Sequence, residues 1–264
     1  MKNLHKAYYK EYFKNLEFLY LVEEGVEEPK ADIKHRNERL TSTNLLKGID
    51  AQPIVNQTIP LEVAYPGLVT GIGINHEAKI TNEFKLGVHF DWTWGMPVVY
   101  GSSVKGVLRS WFTEFYKGDI DPIDLMMEIF EGVYKRDVEA EKKKHGEKWA
   151  EKIKDPKNRI YKERKSIYER DIFFDAVITE ADPKGRILCS DSITPHGNPL
   201  KNPTPITFMK IAPGCKLEFR FKLHDSNFGD GKIFTAAQKK TLFEEILKTV
   251  GIGAKTNVGY GQLK

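Results

Sequence analysis

Gly251-Ile252-Gly253-Ala254-Lys255-Thr256-Asn257-Val258-Gly259-Tyr260-Gly261-Gln262-Leu263 (GIGAKTNVGYGQL) lies at the end of the chain, and its reading decides the rest. Four glycines frame Lys255, Thr256 and Asn257. A dinucleotide fingerprint places its glycines after a strand and before a helix; here a helix comes first. A Walker A loop runs Gly-Lys-Ser/Thr into a helix; Lys255-Thr256 follows Ala254, and no helix follows. Two readings remain. Either bare backbone amides approach a phosphate, with Lys255, Thr256 and Asn257 adding charge and hydrogen bonds, or the glycines serve tight turns and bulges alone.

The preceding helix is well marked. Thr235 opens it, Gln238 completes a capping box, and Gly251 stands where a C-terminal glycine belongs. Leu242, Phe243, Ile246, Leu247 and Val250 form its apolar face. Upstream, Pro97–Trp111 (PVVYGSSVKGVLRSW) reads as strand, glycine turn and helix, with Ser102 or Ser103 as the cap. Val104, Val107, Leu108, Trp111, Phe112 and Phe115 follow the helical period. Lys105 and Arg109 share the other face, and Lys105 sits in the first turn, where free amides and the helix dipole attract anions.

Strand patterns fill the remainder. They cover Ile59–Ile74 and a hairpin region, Ala78–Tyr100, containing FKLGVHFDWTWG. Residues 171–179 pair with 186–191, and 206–211 with 216–223, where Leu217, Phe219, Phe221 and Leu223 alternate. Trp92 and Trp94 either pack on the domain body or form an aromatic finger for RNA bases or a neighbouring subunit. A short helix covers 122–131. The first 22 residues read as a helix striped by Leu4, Tyr8, Tyr12, Leu16, Leu19 and Tyr20, and 23–50 as a polar linker. Without the first helix and the insertion at about 135–170, the order is β-α-β-β-α-β, the ferredoxin-like (RRM-like) arrangement of an α+β fold. The expected division is an N-terminal helix and linker over 1–50 and one domain over 51–264.

Composition narrows the function. The 264 residues are 40% hydrophobic, enough for a core, and no stretch of about 18 apolar residues spans a bilayer. Neither a secretion signal nor a disulfide framework is present, since Cys189 and Cys215 stand alone, so a reducing cytoplasmic setting is expected. Lys and Arg number 41 against 37 Asp and Glu. Lys135–Arg170 holds 14 basic and 8 acidic residues, so the basic excess is local. That segment is either a phosphate-neutralising surface or a solvated face of mixed charge.

These motifs together resemble the RAMP superfamily of CRISPR proteins. The resemblance rests on GIGAKTNVGYG, PVVYGSSVKGVLRSW, DIFFDAVI (171–178), CSDSITPH (189–196) and NPTPITFMKIAPGCKLEFRFKL (202–223), in that family's order over about residues 60–263. It implies a ferredoxin-like core with insertions and an N-terminal helical extension. It also implies a non-catalytic, RNA-binding structural role in a type III-B (Cmr) ribonucleoprotein effector for antiviral defence. The implied partners are CRISPR guide RNA, held near its 3′ portion, target RNA and other Cmr-type RAMP subunits. No catalytic residue, metal or cofactor is expected. The expected RNA contacts are Ser102, Ser103, Lys105, Arg109, Gly251, Gly253, Lys255, Thr256, Asn257 and Gly259.

The alternative is a stand-alone, metal-independent RNA endonuclease of the same superfamily, with His196 as the best general acid or base and His89 behind it. Asp175 and Asp191 fall on strands expected to be neighbours and form a candidate carboxylate pair. Asp91 and Asp50 sit in expected loops, with no motif assigning either a cutting role.

Overall fold

The computed structural model describes residues 3–15, 30–46, 54–71, 80, 82–85, 87–135, 146, 161–194 and 205–264. In chain order the strands are β1 (Gln57–Glu62), β2 (Val98–Val99), β3 (Val133–Lys135), β4 (Tyr161–Arg164), β5 (Ile172–Phe173), β6 (Ala176–Glu180), β7 (Leu188–Ile193), β8 (Ile206–Ile211), β9 (Lys216–Lys222), β10 (Ser226–Asn227) and β11 (Ile233–Phe234). The helices are α1 (Leu4–Lys6), continued by a π turn over Ala7–Glu11, then α2 (Lys30–Thr41), α3 (Gly101–Phe115), α4 (Pro122–Met126), extended by a π turn over Met127–Glu131, and α5 (Ala236–Val250). The fold is α+β.

The main sheet runs β1-β9-β6-β2, every neighbour antiparallel, with β5 also paired to β9. The C-terminal residues extend it beyond β1. Glu62 and Lys264 exchange backbone hydrogen bonds of 2.8 and 3.0 Å, and the Ala64 amide donates to the Gln262 carbonyl at 2.9 Å. Alternation then sorts the faces. Ile59, Leu61, Leu217, Phe219 and Phe221 are buried beneath α5 and its neighbours. Phe130, Phe173, Phe221 and Phe243 join turn, sheet and helix, with ring centroids 5.4–6.1 Å apart. The other face carries Thr58, Pro60, Glu62, Glu218, Arg220 and Lys222, with Arg220 donating to Glu218 at 2.7 Å. These positions of β1 and β9 carry no aromatic ring.

The α5 prediction holds in detail: Thr235 and Gln238 form the capping box, and Gly251 ends the helix. Other expectations change. Residues 30–41 form a helix rather than a linker, because Ile33 and Leu40, two turns apart, suffice to dock it. Tyr12 and Asn37 tie it to the N-terminal helix through a 2.5 Å hydrogen bond. The expected strand pairs do not form. β7 pairs with β8, while β6 and β9 pair with each other in the main sheet. Sequence neighbours suggested local hairpins, but β9 takes long-range partners on both edges, β1 and β6, and buries Leu217, Phe219 and Phe221 on one face. The N-terminal helix reaches Glu11; Leu16, Leu19 and Tyr20 lie outside the described residues, as does most of the 135–170 insertion.

A buried ionic cluster fastens the return from that insertion. Lys165 and Ser226 both bond Glu128. Lys239 of α5 lies 2.6 Å from Asp171 and donates to the His224 carbonyl at 2.7 Å. Such pairs fix geometry more reliably than they add stability. Among the described residues, no helix is long and apolar enough to cross a membrane.

Candidate nucleic-acid interface

The start of α3 is not capped as the sequence suggested. Tyr100 is the N-cap and makes no side-chain cap bond; Ser102 and Ser103 are exposed. The cap comes from β6's approach, where Asp175 Oδ1 accepts the Gly101 amide at 2.7 Å. The Ser103 and Val104 amides turn back to the Tyr100 carbonyl at 2.8 and 3.1 Å. A carboxylate thus already occupies much of this anion-attracting end. Gly101 is required by close approach, since a Cβ there would stand 2.2 Å from the Phe173 carbonyl oxygen.

One turn on, Lys105 is half-buried and makes no ion pair among the described residues. Arg109 differs: its Nε lies 3.1 Å from Glu131. Both partners are substantially exposed, so the pair is weak and competition from a phosphate is inexpensive.

The Gly-rich loop folds back on itself. The Ile252 amide bonds the Gly261 carbonyl at 2.9 Å, and a 3₁₀ turn covers Thr256–Val258. Its glycines serve packing. A Cβ on Gly253 would stand 2.4 Å from the Val69 carbonyl oxygen, one on Gly251 2.6 Å from that of Gly261, and one on Gly261 1.9 Å from that of Ile252. Of the expected contacts here, Gly251 is buried, and Gly253, though exposed, has no room for a side chain. Gly259 has more room, its nearest neighbour being Pro66 at 3.8 Å. Thr256 is half-buried and Asn257 exposed.

Lys255 stands in left-handed backbone, φ 62°, and its carbonyl accepts from the Val258 and Tyr260 amides. Non-glycine residues pay for this conformation. Lys255 also makes no ion pair among the described residues.

Tyr260 anchors the loop. Its hydroxyl donates to Asp191 Oδ2 at 2.8 Å, and Lys210 bonds the same oxygen at 2.5 Å. Burial alone would raise the Asp191 carboxyl, but the Lys210 and Tyr260 hydrogen bonds outweigh it and hold it below the usual carboxylate range. Burial, reinforced by Asp191, pushes the Tyr260 phenol up to about 12. Asp175, on the Gly101 amide, and Asp191, on Lys210 and Tyr260, are thus separately engaged in structural bonds. Asp91 is likewise occupied, its Oδ1 accepting from the Thr93 amide and hydroxyl and the Trp94 amide. His196 and Asp50 lie outside the described residues.

Segment 67–71 joins the loop to α3. The Ala254 amide bonds the Val69 carbonyl at 2.8 Å, and Thr70 Oγ1 accepts the His89 amide at 2.9 Å. His89 then stacks on Tyr100, the residue before α3, with centroids 4.3 Å apart and planes 18° apart. Burial lowers the His89 pKa, partly offset by Asp175. At the far end, Tyr116 after α3 meets Phe234 before α5 at 5.2 Å. The two helices therefore run antiparallel, and Lys105 and Lys255 belong to the same end of the pair. The bridge through Thr70 and His89 was not legible in the sequence, because neither residue carries a motif.

A chain in the cryo-EM structure of the type III-B Cmr-beta bound to cognate target RNA is 18% identical; the match covers 93% of this chain and 77% of that one, with a TM-score of 0.48. The crystal structure of Cmr6 from Pyrococcus furiosus matches at 19% identity, covering 78% and 96% respectively, with a TM-score of 0.33. No curated protein matches the sequence. The RAMP superfamily model matches residues 61–264, from the end of β1 through α3 and α5 to the C-terminal segment beside β1. This chain belongs to the RAMP superfamily.

Proposed function

We propose that the chain is a non-catalytic RNA-binding subunit of a type III-B CRISPR effector, holding guide RNA near its 3′ portion beside other RAMP subunits in antiviral defence. The main support is that two lysines without ion-pair partners among the described residues, Lys105 and Lys255, sit at one end of the α3–α5 pair, linked through 67–71. Lysines without anionic partners neutralise phosphates and fix register without reading sequence. The strand order, with the terminal segment outside β1 and β9 between β1 and β6, suits a ferredoxin-like core. Engagement of Asp91, Asp175 and Asp191 in structural bonds favours binding over cutting.

The test is co-purification with candidate partner subunits and a labelled guide RNA, followed by gel analysis of the RNA. Stable incorporation with intact RNA is expected. A defined cut by the lone chain, abolished by His196→Ala, would establish the endonuclease instead.

A further inference from the structure

Trp92 is 73% exposed, an unusual position for the largest apolar side chain, yet it is firmly held. It sits at the tip of a short hairpin, closed by the Asp91 amide on the Met96 carbonyl and the Val98 amide on the His89 carbonyl, both 2.9 Å. The three bonds to Asp91 Oδ1 fix the turn. The N-terminal helix clamps it from outside: Asn3 Nδ2 donates to the Trp92 and Thr93 carbonyls at 3.3 and 3.4 Å, and the Leu4 amide to Gly95 at 3.0 Å. His5, itself buried, packs against the indole with centroids 4.0 Å apart. Tyr9 follows at 4.8 Å from His5 and is 44% exposed. Trp94 behaves oppositely and packs into the core.

We infer that Trp92, backed by His5 and flanked by Tyr9, is a stacking platform for one unpaired nucleobase of single-stranded RNA. The inference rests on the RNA-binding reading above and extends it from phosphates to a base. Three features favour a base over a protein side chain. The rings are fixed before binding, so little entropy is lost on stacking. Lys10, exposed and without an ion-pair partner among the described residues, follows Tyr9 in the same helical turn, so the platform's own helix supplies a cation. Finally, the hairpin runs through Val98–Val99 and Tyr100, on which His89 stacks, straight into α3, the helix that carries Lys105. Alternating cations and exposed rings are how sequence-tolerant single-strand sites are built.

The experiment uses the full chain, a short labelled oligouridine, and the same RNA with one abasic position moved along it. Trp92→Ala is expected to weaken oligouridine binding about tenfold, the range of one stacked base. Trp92→Phe should recover most of the loss, and the slope of affinity against salt should not change, because no phosphate contact is removed. With the abasic site at the platform, wild type and Trp92→Ala should bind alike. Thermal melts will verify that the exposed substitution leaves the fold intact. If wild type binds RNA and Trp92→Ala binds equally well, the platform is wrong and the RNA-binding reading survives. If wild type shows no salt-dependent RNA binding alone or in the complex, both fail. If Trp92→Ala keeps RNA but loses a partner subunit, the turn is a protein contact and the inference is overturned.

Discussion

The Gly-rich loop and the start of α3 share a pattern in sequence, small residues beside a lysine, but they are built in opposite ways. In the loop Gly251, Gly253 and Gly261 are used up by close approach to the Gly261, Val69 and Ile252 carbonyls, and the half-buried Lys255 stands in left-handed backbone. At α3 the serines lie open, while the amides they accompany are partly occupied by Asp175 and the Tyr100 carbonyl. Neither place is an open cradle of bare amides. Glycine content here reports close approach of one backbone segment to another; the phosphate contacts proposed above rest instead on Lys105 and Lys255, which have no ion-pair partner among the described residues.

That contrast can be broken most forcefully at Gly261. Gly261→Ala forces a Cβ against the Ile252 carbonyl in left-handed backbone and is expected to cost about 3 kcal/mol. Gly259→Ala, with open space around it, should cost only about 1 kcal/mol. Denaturant unfolding of both variants measures the difference, and equal losses would mean that the glycines are not packed as described.

Lys255→Gly separates stability from binding. It relieves the positive φ, so the melting temperature should hold or rise, while RNA affinity falls several-fold. A parallel fall in both would make Lys255 architecture. Asp175→Asn keeps an acceptor for the Gly101 amide but removes the charge at the helix start. A loss of about 1 kcal/mol or less in stability is expected, together with tighter RNA binding, read by melting and by anisotropy.

The smallest effect is in pH, and it sorts the two regions. The His89 pKa is held below 6.5 by burial, so its neutral form is favoured and stability falls as pH drops from 6.5 toward that lower folded value. Asp191 is held below 3.8, so its contribution is complete above 3.8 and fades as pH falls through the lower folded value. Stability against pH should therefore show a His89 step in mild acid, flattened by His89→Gln, and an Asp191 step only in strong acid, absent from Asp191→Asn.

Much of the helical structure was legible, because local chemistry writes it. Thr235 and Gln238 announce the start of α5, and Leu242, Phe243, Ile246 and Leu247 its buried face. The alternation of β9 was equally plain. Its partners were not: β1 lies over 150 positions away in the chain, and nothing at Leu217 or Phe219 names Leu61 or Ile59. The site divides in the same way. Lys105 and Lys255 could be read from their motifs. The Asp175 cap and the Thr70–His89 link could not, because each joins residues that are ordinary in sequence and meet only through the sheet. Trp92 and Trp94 read as a pair, yet a turn sends one to water and the other to the core.

The central claim is that phosphate contacts converge on Lys105 and Lys255 and that the RNA is held without being cut. The most direct test is the slope of log affinity against log salt for labelled guide RNA, measured for wild type, Lys105→Ala, Lys255→Ala and the double variant, with RNA integrity followed on gels. Each single loss should shallow the slope by about 0.7 and the double loss by about twice that, with the RNA intact. Unchanged slopes, or RNA cut by the wild-type chain, would contradict the account.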